Sequence, residues 1–92
     1  MKHELKILPE FYFRVADGSK TFEIRVNDRA FQCGDTVILR EWDPTSQNPS
    51  TDGEKGYTLS PALEFKIGFI YNLNDHKKNT VVFSLVPIKT KK

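Results

Sequence analysis

Hydrophobic and polar residues alternate most clearly over residues 21–27, TFEIRVN. Side chains on a β-strand point to opposite faces at successive positions. We therefore expect a strand whose apolar face, Phe22, Ile24 and Val26, enters a core. The opposite face would present polar side chains to a ligand: Thr21, Glu23, Arg25 and Asn27.

One short helix is expected immediately before this strand. Pro9 suits the first turn of a helix, and Phe11 and Val15 fall four residues apart on one face. Gly18 supplies a left-handed residue at the C-terminal end. The pattern predicts a helix from Pro9 to about Asp17, with Phe11 in the core.

Four further stretches have the composition of strands: 3–8, 36–43, 62–72 and 80–88. Near the end of the stretch 36–43, Arg40 and Trp42 share one face of the predicted strand, and Glu41 lies on the other face. Phe83 is expected in the core. Regular alternation predicts one more buried face: Leu63, Phe65, Ile67, Phe69 and Tyr71.

Five predicted strands and one early helix, without alternation of strands and helices, indicate a mostly β (α+β) fold. Five short strands bury their apolar faces best by curling into a small, partly closed β-barrel, with the helix covering one end. We expect a single domain over 1–92. The long polar connection over 44–61 would be a flexible flap, and residues 89–92 a frayed tail.

Composition narrows the functional classes only modestly. The 14 Lys and Arg residues against 12 Asp and Glu residues give a formal charge of +2, which argues only weakly for a nucleic-acid partner. The single cysteine, Cys33, fits a reducing, cytoplasmic location. The N-terminal apolar run is too short for a signal peptide or a membrane span. We expect a monomer without cofactor or metal.

Isolated reactive residues are not expected to form a second site. Cys33 has no histidine near it in the sequence, so a packed or idle thiol is favoured over a nucleophile. His3 and His76 lack the spacing of metal ligands, and both are expected at the surface.

The first half of the chain resembles a known family. The stretch HELKILPEFYFRVADGSKTFEIRVNDR, followed by GDTVILREWDP, is similar to proteins with an activating-signal-cointegrator homology (ASCH) domain, within the PUA-like superfamily. It resembles most a small bacterial and phage family of unassigned function, DUF3850. The ASCH signature is a glycine, a lysine two residues on, a glutamate three later and an arginine two beyond, and four residues match it: Gly18, Lys20, Glu23 and Arg25.

The resemblance implies a PUA-like β-barrel whose cleft holds RNA or a nucleobase-like ligand. Some ASCH relatives are amidohydrolases that remove the acetyl group from N4-acetylcytidine with a lysine, a threonine and a glutamate. Lys20 matches that lysine. Glu23 occupies the place of the threonine, and the nearest threonine in this chain is Thr21, directly after Lys20. If the chain is an enzyme, the resemblance makes Lys20, Thr21 and Glu23 its catalytic residues.

The chemistry of this cluster favours binding over catalysis. A carboxylate at Glu23 would keep Lys20 and Arg25 charged, which suits a phosphate or a base edge better than nucleophilic attack. Arg40 and Trp42 would add a stacking surface if their strand is a neighbour. From spacing alone, a solvated Glu23–Arg25 ion pair and a core position for Trp42 remain open. The predicted ligand contacts are Lys20, Glu23, Arg25, Arg29, Arg40 and Trp42.

Three functional hypotheses follow from the sequence. A module that binds RNA or a modified nucleoside is favoured, with its cleft over the GSKTFEIR strand. A small amidohydrolase acting on an acylated nucleobase is the alternative. A protein-interaction domain is the second alternative.

Overall fold

The computed structural model describes residues 1–45, 56–73 and 79–88. Most of the predicted flap over 44–61 lies outside the described residues, and so do His76 and the tail 89–92. The expectations for those residues stay predictions.

Five strands and one helix make up the regular structure of the described residues. The strands form one sheet in the order β1-β3-β4-β5-β2, which places β1 and β2 at its two ends. This confirms the prediction of a mostly β chain with five strands and one N-terminal helix. The elements are β1 Lys2–Ile7, α1 Pro9–Ala16, β2 Phe22–Val26, β3 Thr36–Glu41, β4 Leu63–Asn72 and β5 Thr80–Pro87.

Helix α1 begins and ends where its sequence signals predict. Pro9 occupies the first turn, and Gly18 adopts the left-handed conformation with φ of +85° just past the last turn. Tyr12 and Val15 form its buried face, so Phe11, expected in the core, is exposed instead. The described part of the chain contains no helix long and apolar enough to cross a membrane.

The chain divides into two compact units, and the first has an aromatic core. Its strands β4 and β5 pair antiparallel, as do β5 and β2. Ile67, Val81 and Phe83 are almost completely buried, and the Phe31 ring lies 5.0 Å from that of Phe83. The first unit comprises Met1–His3, Thr21–Val37 and Glu64–Lys92.

The second unit packs α1 against its own part of the sheet. Its buried apolar residues are contributed by β1, β3 and α1. The ring of Tyr12 is buried, and its hydroxyl donates a hydrogen bond to the carbonyl oxygen of Pro61 at 2.7 Å. This bond ties the helix to the segment that precedes β4. The second unit comprises Glu4–Lys20 and Ile38–Leu63.

The predicted orientation of β2 is wrong. Glu23 is only 5% exposed and Arg25 is half-buried. In the register, Glu23 lies opposite Phe83 and Arg25 opposite Val81, so the polar side chains share the face of the β5 core residues. Alternation defines two faces, but the partner strand decides which of them is inside. The apolar face is the exposed one: Phe22, Ile24 and Val26.

Strand β4 departs from its predicted alternation at a bulge. Its register with β5 shifts between Ile67 and Ile70, so two residues of β4 stand opposite the single Ser84. The extra residue reverses the alternation from that point. Phe69 and Tyr71, predicted to be buried, are therefore exposed.

His3 is buried, contrary to the expected surface position. Its Nε2 lies 2.8 Å from Oδ2 of Asp35, and its ring packs edge-on against Phe31. The amino group of Met1 lies 3.3 Å from the other carboxylate oxygen. Because the carboxylate satisfies the ring nitrogen, the imidazole can be buried at low cost.

Candidate functional site

Two cations and two aromatic rings meet at the end of β3, within the second unit. Arg40 and Trp42 belong to β3 and its extension, Lys6 to the neighbouring β1, and Tyr57 to a segment that forms a β-bridge with Trp42. We call these four residues the aromatic–cation cluster. The backbone N–H of Trp42 donates to the carbonyl oxygen of Ile7 at 2.8 Å, which fixes the end of β3 beside β1.

The cations of the aromatic–cation cluster lie over its rings. The guanidinium carbon of Arg40 is 4.0 Å from the centroid of Tyr57. Lys6 Nζ is 4.7 Å from the ring of Trp42 and 5.9 Å from that of Tyr57. Arg40 also donates through Nη1 to Glu4 Oε2 at 2.9 Å. Attraction between cations and ring faces holds the four side chains together.

Gly56 positions the indole ring of Trp42. A Cβ atom at Gly56 would collide with Nε1 of Trp42, and the backbone φ there is +96°, which favours glycine. The carbonyl oxygen of Gly56 accepts a hydrogen bond from the N–H of Asp43 at 2.6 Å. The indole can therefore lie against the backbone of this segment only because Gly56 has no side chain.

A buried carboxylate anchors the same returning segment from the opposite face of β3. Glu41 accepts hydrogen bonds from Thr58 Oγ1 at 2.7 Å and from Ser60 Oγ at 2.5 Å. Burial raises the pKa of Tyr12, and the nearby Glu41 charge acts in the same direction, while a hydrogen bond with Ser60 opposes them. These contacts connect the aromatic–cation cluster to the helix.

In the first unit, Glu23 and Arg25 form a close ion pair. Arg25 Nη2 donates to Glu23 Oε2 at 2.8 Å, and both side chains are largely shielded from water. Shielding strengthens a charge-assisted hydrogen bond relative to one in solvent. The pair therefore differs from the solvated ion pair that the spacing left open.

The remaining predicted site residues lie in different surroundings. Lys20 Nζ lies 5.8 Å from the ring of Phe11, and its backbone N–H donates to Arg14 in the second unit. Thr21 is exposed, and its carbonyl oxygen accepts from the N–H of Leu85 in the first unit. Arg29 Nε lies 3.7 Å from an oxygen of Asp28, and both side chains are exposed.

Within the described residues, no group of three or more His, Cys, Asp and Glu side chains is placed to hold a metal ion. Cys33 is exposed and is not part of a disulfide. His76 lies outside the described residues, so the expectation of no metal stays a prediction.

Comparison with known proteins places the chain in a family. The model of a family described as "Domain of unknown function (DUF3850)" matches residues 2–77, which is well over half of the chain. The chain belongs to the DUF3850 family. The matched DUF3850 range includes every residue of the aromatic–cation cluster and the Glu23–Arg25 pair.

One relative of this DUF3850 chain comes from a bacteriophage. Over 40 residues, the chain is 42% identical to the "Uncharacterized 12.9 kDa protein in GpA 3'region" of Escherichia phage P2. The aligned part is 44% of this chain and 37% of the phage protein, so the match spans less than two thirds of that relative. Neither description names an activity, and the function must be argued from the site.

Sequence reasoning identified half of the aromatic–cation cluster in this DUF3850 chain. It placed Arg40 and Trp42 on one face of β3, and the structure has them there. It missed Lys6 and Tyr57, because their places beside Trp42 depend on strand neighbours and on a returning segment. One signal was available, since Tyr57 is the only aromatic residue in the long polar connection.

Proposed function

We propose that this DUF3850 chain binds single-stranded RNA or a modified nucleoside, with the aromatic–cation cluster as its stacking surface. In this proposal, the five-stranded sheet belongs to a PUA-like β-barrel of the ASCH type. One observation carries the proposal. The guanidinium of Arg40 lies over the ring of Tyr57 at 4.0 Å, beside Trp42.

This arrangement suits a planar base. Proteins that bind single strands stack bases on aromatic rings and on guanidinium planes. Lys6 lies over the ring of Trp42, and a lysine side chain is a flexible, strongly hydrated cation. An incoming base takes the place of Lys6 over the indole and lies next to the stacked Arg40.

Charge at the aromatic–cation cluster favours an anionic ligand only slightly. Lys6 and Arg40 contribute two positive charges, and Glu4, which pairs with Arg40, contributes one negative charge. After displacement from the indole, Lys6 remains close enough to meet one ligand phosphate. The Lys6 contact alone should then make the logarithm of affinity fall with the logarithm of salt concentration with a slope of about −0.7, and each further phosphate contact should add about the same amount.

The other predicted contacts remain part of the proposal because the resemblance implies them. They are Lys20, Glu23, Arg25 and Arg29. The hydrogen bond to Glu23 holds the Arg25 guanidinium in a fixed orientation, which suits a base edge or a phosphate. Because Glu23 is engaged in that bond, binding is favoured over the amidohydrolase alternative with Lys20, Thr21 and Glu23. Acetate release from N4-acetylcytidine that is lost in Lys20→Ala would favour the alternative instead.

Trp42 provides a direct readout of binding, because the chain contains one tryptophan. We expect short single-stranded RNAs or free nucleosides to quench its fluorescence saturably at low salt. Arg40→Ala should weaken the affinity by roughly 5-fold to 150-fold, since stacking contributes about 1–3 kcal/mol per base.

A matched variant separates stacking from simple loss of charge. Arg14→Ala removes the same charge from α1 in the same unit, outside the aromatic–cation cluster, and should leave the affinity unchanged. Equal affinities of Arg40→Ala and the unmodified chain would contradict the proposal. So would the absence of binding to all RNAs and nucleosides at low salt.

A further inference from the structure

The first unit exposes an apolar face of the sheet. The face lies on the side of β2, β5 and β4 opposite the Phe83 core. Six of its large apolar side chains are between 41% and 64% exposed: Phe22, Ile24, Val26, Phe69, Tyr71 and Val86. We call this surface the outer face.

The register makes the outer face continuous across three strands. Val82 of β5 lies opposite Ile24 of β2 on one side and Tyr71 of β4 on the other. Ser84 lies opposite Phe22, and its Oγ accepts a hydrogen bond from the backbone N–H of Phe69 at 2.9 Å. Side chains directly opposite on neighbouring strands are in contact, so these residues form one patch.

The outer face has the area of an interface. If a fully exposed aromatic side chain presents about 150–250 Å², the six residues together present roughly 550 Å² of surface. Patches of this size are at the upper end for a monomer and mark interaction sites. A stable protein complex buries roughly 800 Å² per partner, so these six side chains alone would supply about two thirds of such an interface.

The charge of the outer face selects an apolar partner. The charged side chains that the described strands place on it are Glu64 and Lys66, which have opposite signs and lie at one end. An RNA or an acidic peptide requires a surplus of cations, which this face does not offer. A second copy of the chain brings an equally apolar, equally neutral surface of the same area.

We propose that the chain forms a two-fold symmetric homodimer in which the outer faces of two copies stack. Two sheets then pack face to face at about 10 Å, with interdigitating side chains. In such an interface the same patch serves both copies, and Ile24 lies near its centre. The proposal is independent of nucleic-acid binding, and it replaces the monomer expected from the sequence.

Sedimentation equilibrium of the full chain tests the dimer. The mass should rise with concentration from 10.6 kDa toward twice that value, with a dissociation constant on the order of micromolar. Ile24→Glu should weaken dimerisation at least about tenfold, because a buried charge would be left unpaired. Ile24→Thr, which retains strand propensity, should weaken it less.

A matched substitution and a folding control make the result interpretable. Leu59→Glu introduces the same charge at a residue that is 66% exposed and lies outside the outer face. This variant should dimerise with the same dissociation constant as the unmodified chain. Circular dichroism melts confirm that each variant is folded. A chain that stays monomeric up to about 100 μM overturns the proposal. A dimer that Ile24→Glu and Ile24→Thr both leave intact overturns it as well.

Discussion

At the scale of single residues, Asp35 shows how a distant pairing changes what a side chain does. Its carboxylate lies 2.8 Å from Nε2 of His3, accepts from the backbone N–H of Gln32 at 3.1 Å, and lies 3.3 Å from the amino group of Met1. The hydrogen bond with His3 is the largest of the effects that lower the pKa of Asp35. These bonds hold the first residues of the chain, Met1 to His3, beside Asp35 within the first unit.

Because of these contacts of Asp35, we expect the free energy of unfolding to depend on pH in the acidic range. Because the pKa of Asp35 is lower in the folded chain than its unfolded value near 3.9, its stabilisation is fully present above that value. It is lost as the pH falls through the folded-state pKa. We therefore expect the free energy of unfolding to fall more steeply below about pH 4 in the unmodified chain than in Asp35→Asn. Urea titrations at stepped pH measure both profiles.

The control for this prediction lies in the same loop. Cys33→Ser changes an exposed side chain and should retain the acid dependence of the unmodified chain. Superimposable profiles of Asp35→Asn and the unmodified chain would show that this carboxylate does not stabilise the fold.

At the scale of elements, the segment that returns beside the end of β3 determines where Trp42 lies. The N–H of Asp43 donates to Gly56, and the N–H of Thr58 donates to Glu41. Gly56 faces the indole so closely that any Cβ would collide with it. Placement of the aromatic–cation cluster thus depends on one glycine.

Gly56→Ala should therefore displace Trp42. A non-glycine residue at positive φ costs about 1–2 kcal/mol, and the collision with the indole adds to that cost. We expect lower stability, a shifted tryptophan emission maximum and weaker RNA or nucleoside binding. Chemical denaturation and fluorescence spectra check these effects.

Gly18→Ala is the matched comparison for Gly56→Ala. Its φ is +85°, but a Cβ there would meet no atom within 4 Å. It should cost stability through backbone strain alone and leave the tryptophan spectrum unchanged. If both variants gave the same spectrum as the unmodified chain, Gly56 would not position the indole.

At the scale of the whole molecule, local signals predicted the elements and non-local contacts decided their faces. Pro9 and Gly18 bound the helix correctly, because caps act within a turn of the chain. The inside of β2 could not be read from its alternation, because it depends on pairing with β5. The bulge in β4 has one local signal, Gly68, because an isolated glycine inside a strand pattern often marks a bulge or a close approach.

In the candidate site, too, local sequence signals identified some residues and non-local contacts determined the others. Sequence and resemblance identified Arg40, Trp42 and the Glu23–Arg25 pair. Only the sheet order and the returning segment could bring Lys6 and Tyr57 to the indole. The burial of Glu23 could be predicted only from its pairing with β5, where it lies opposite the core residue Phe83.

The central claim is that the aromatic–cation cluster receives a nucleobase, and a ¹⁵N–¹H NMR titration tests it most directly. Trp42 is the one tryptophan, so the spectrum contains a single indole N–H resonance. On addition of a short single-stranded RNA or a nucleoside monophosphate, we expect this resonance and the Arg40 Nε–H resonance to shift saturably. The Arg14 Nε–H resonance should stay in place. An indole resonance that does not move while other resonances shift would contradict the claim.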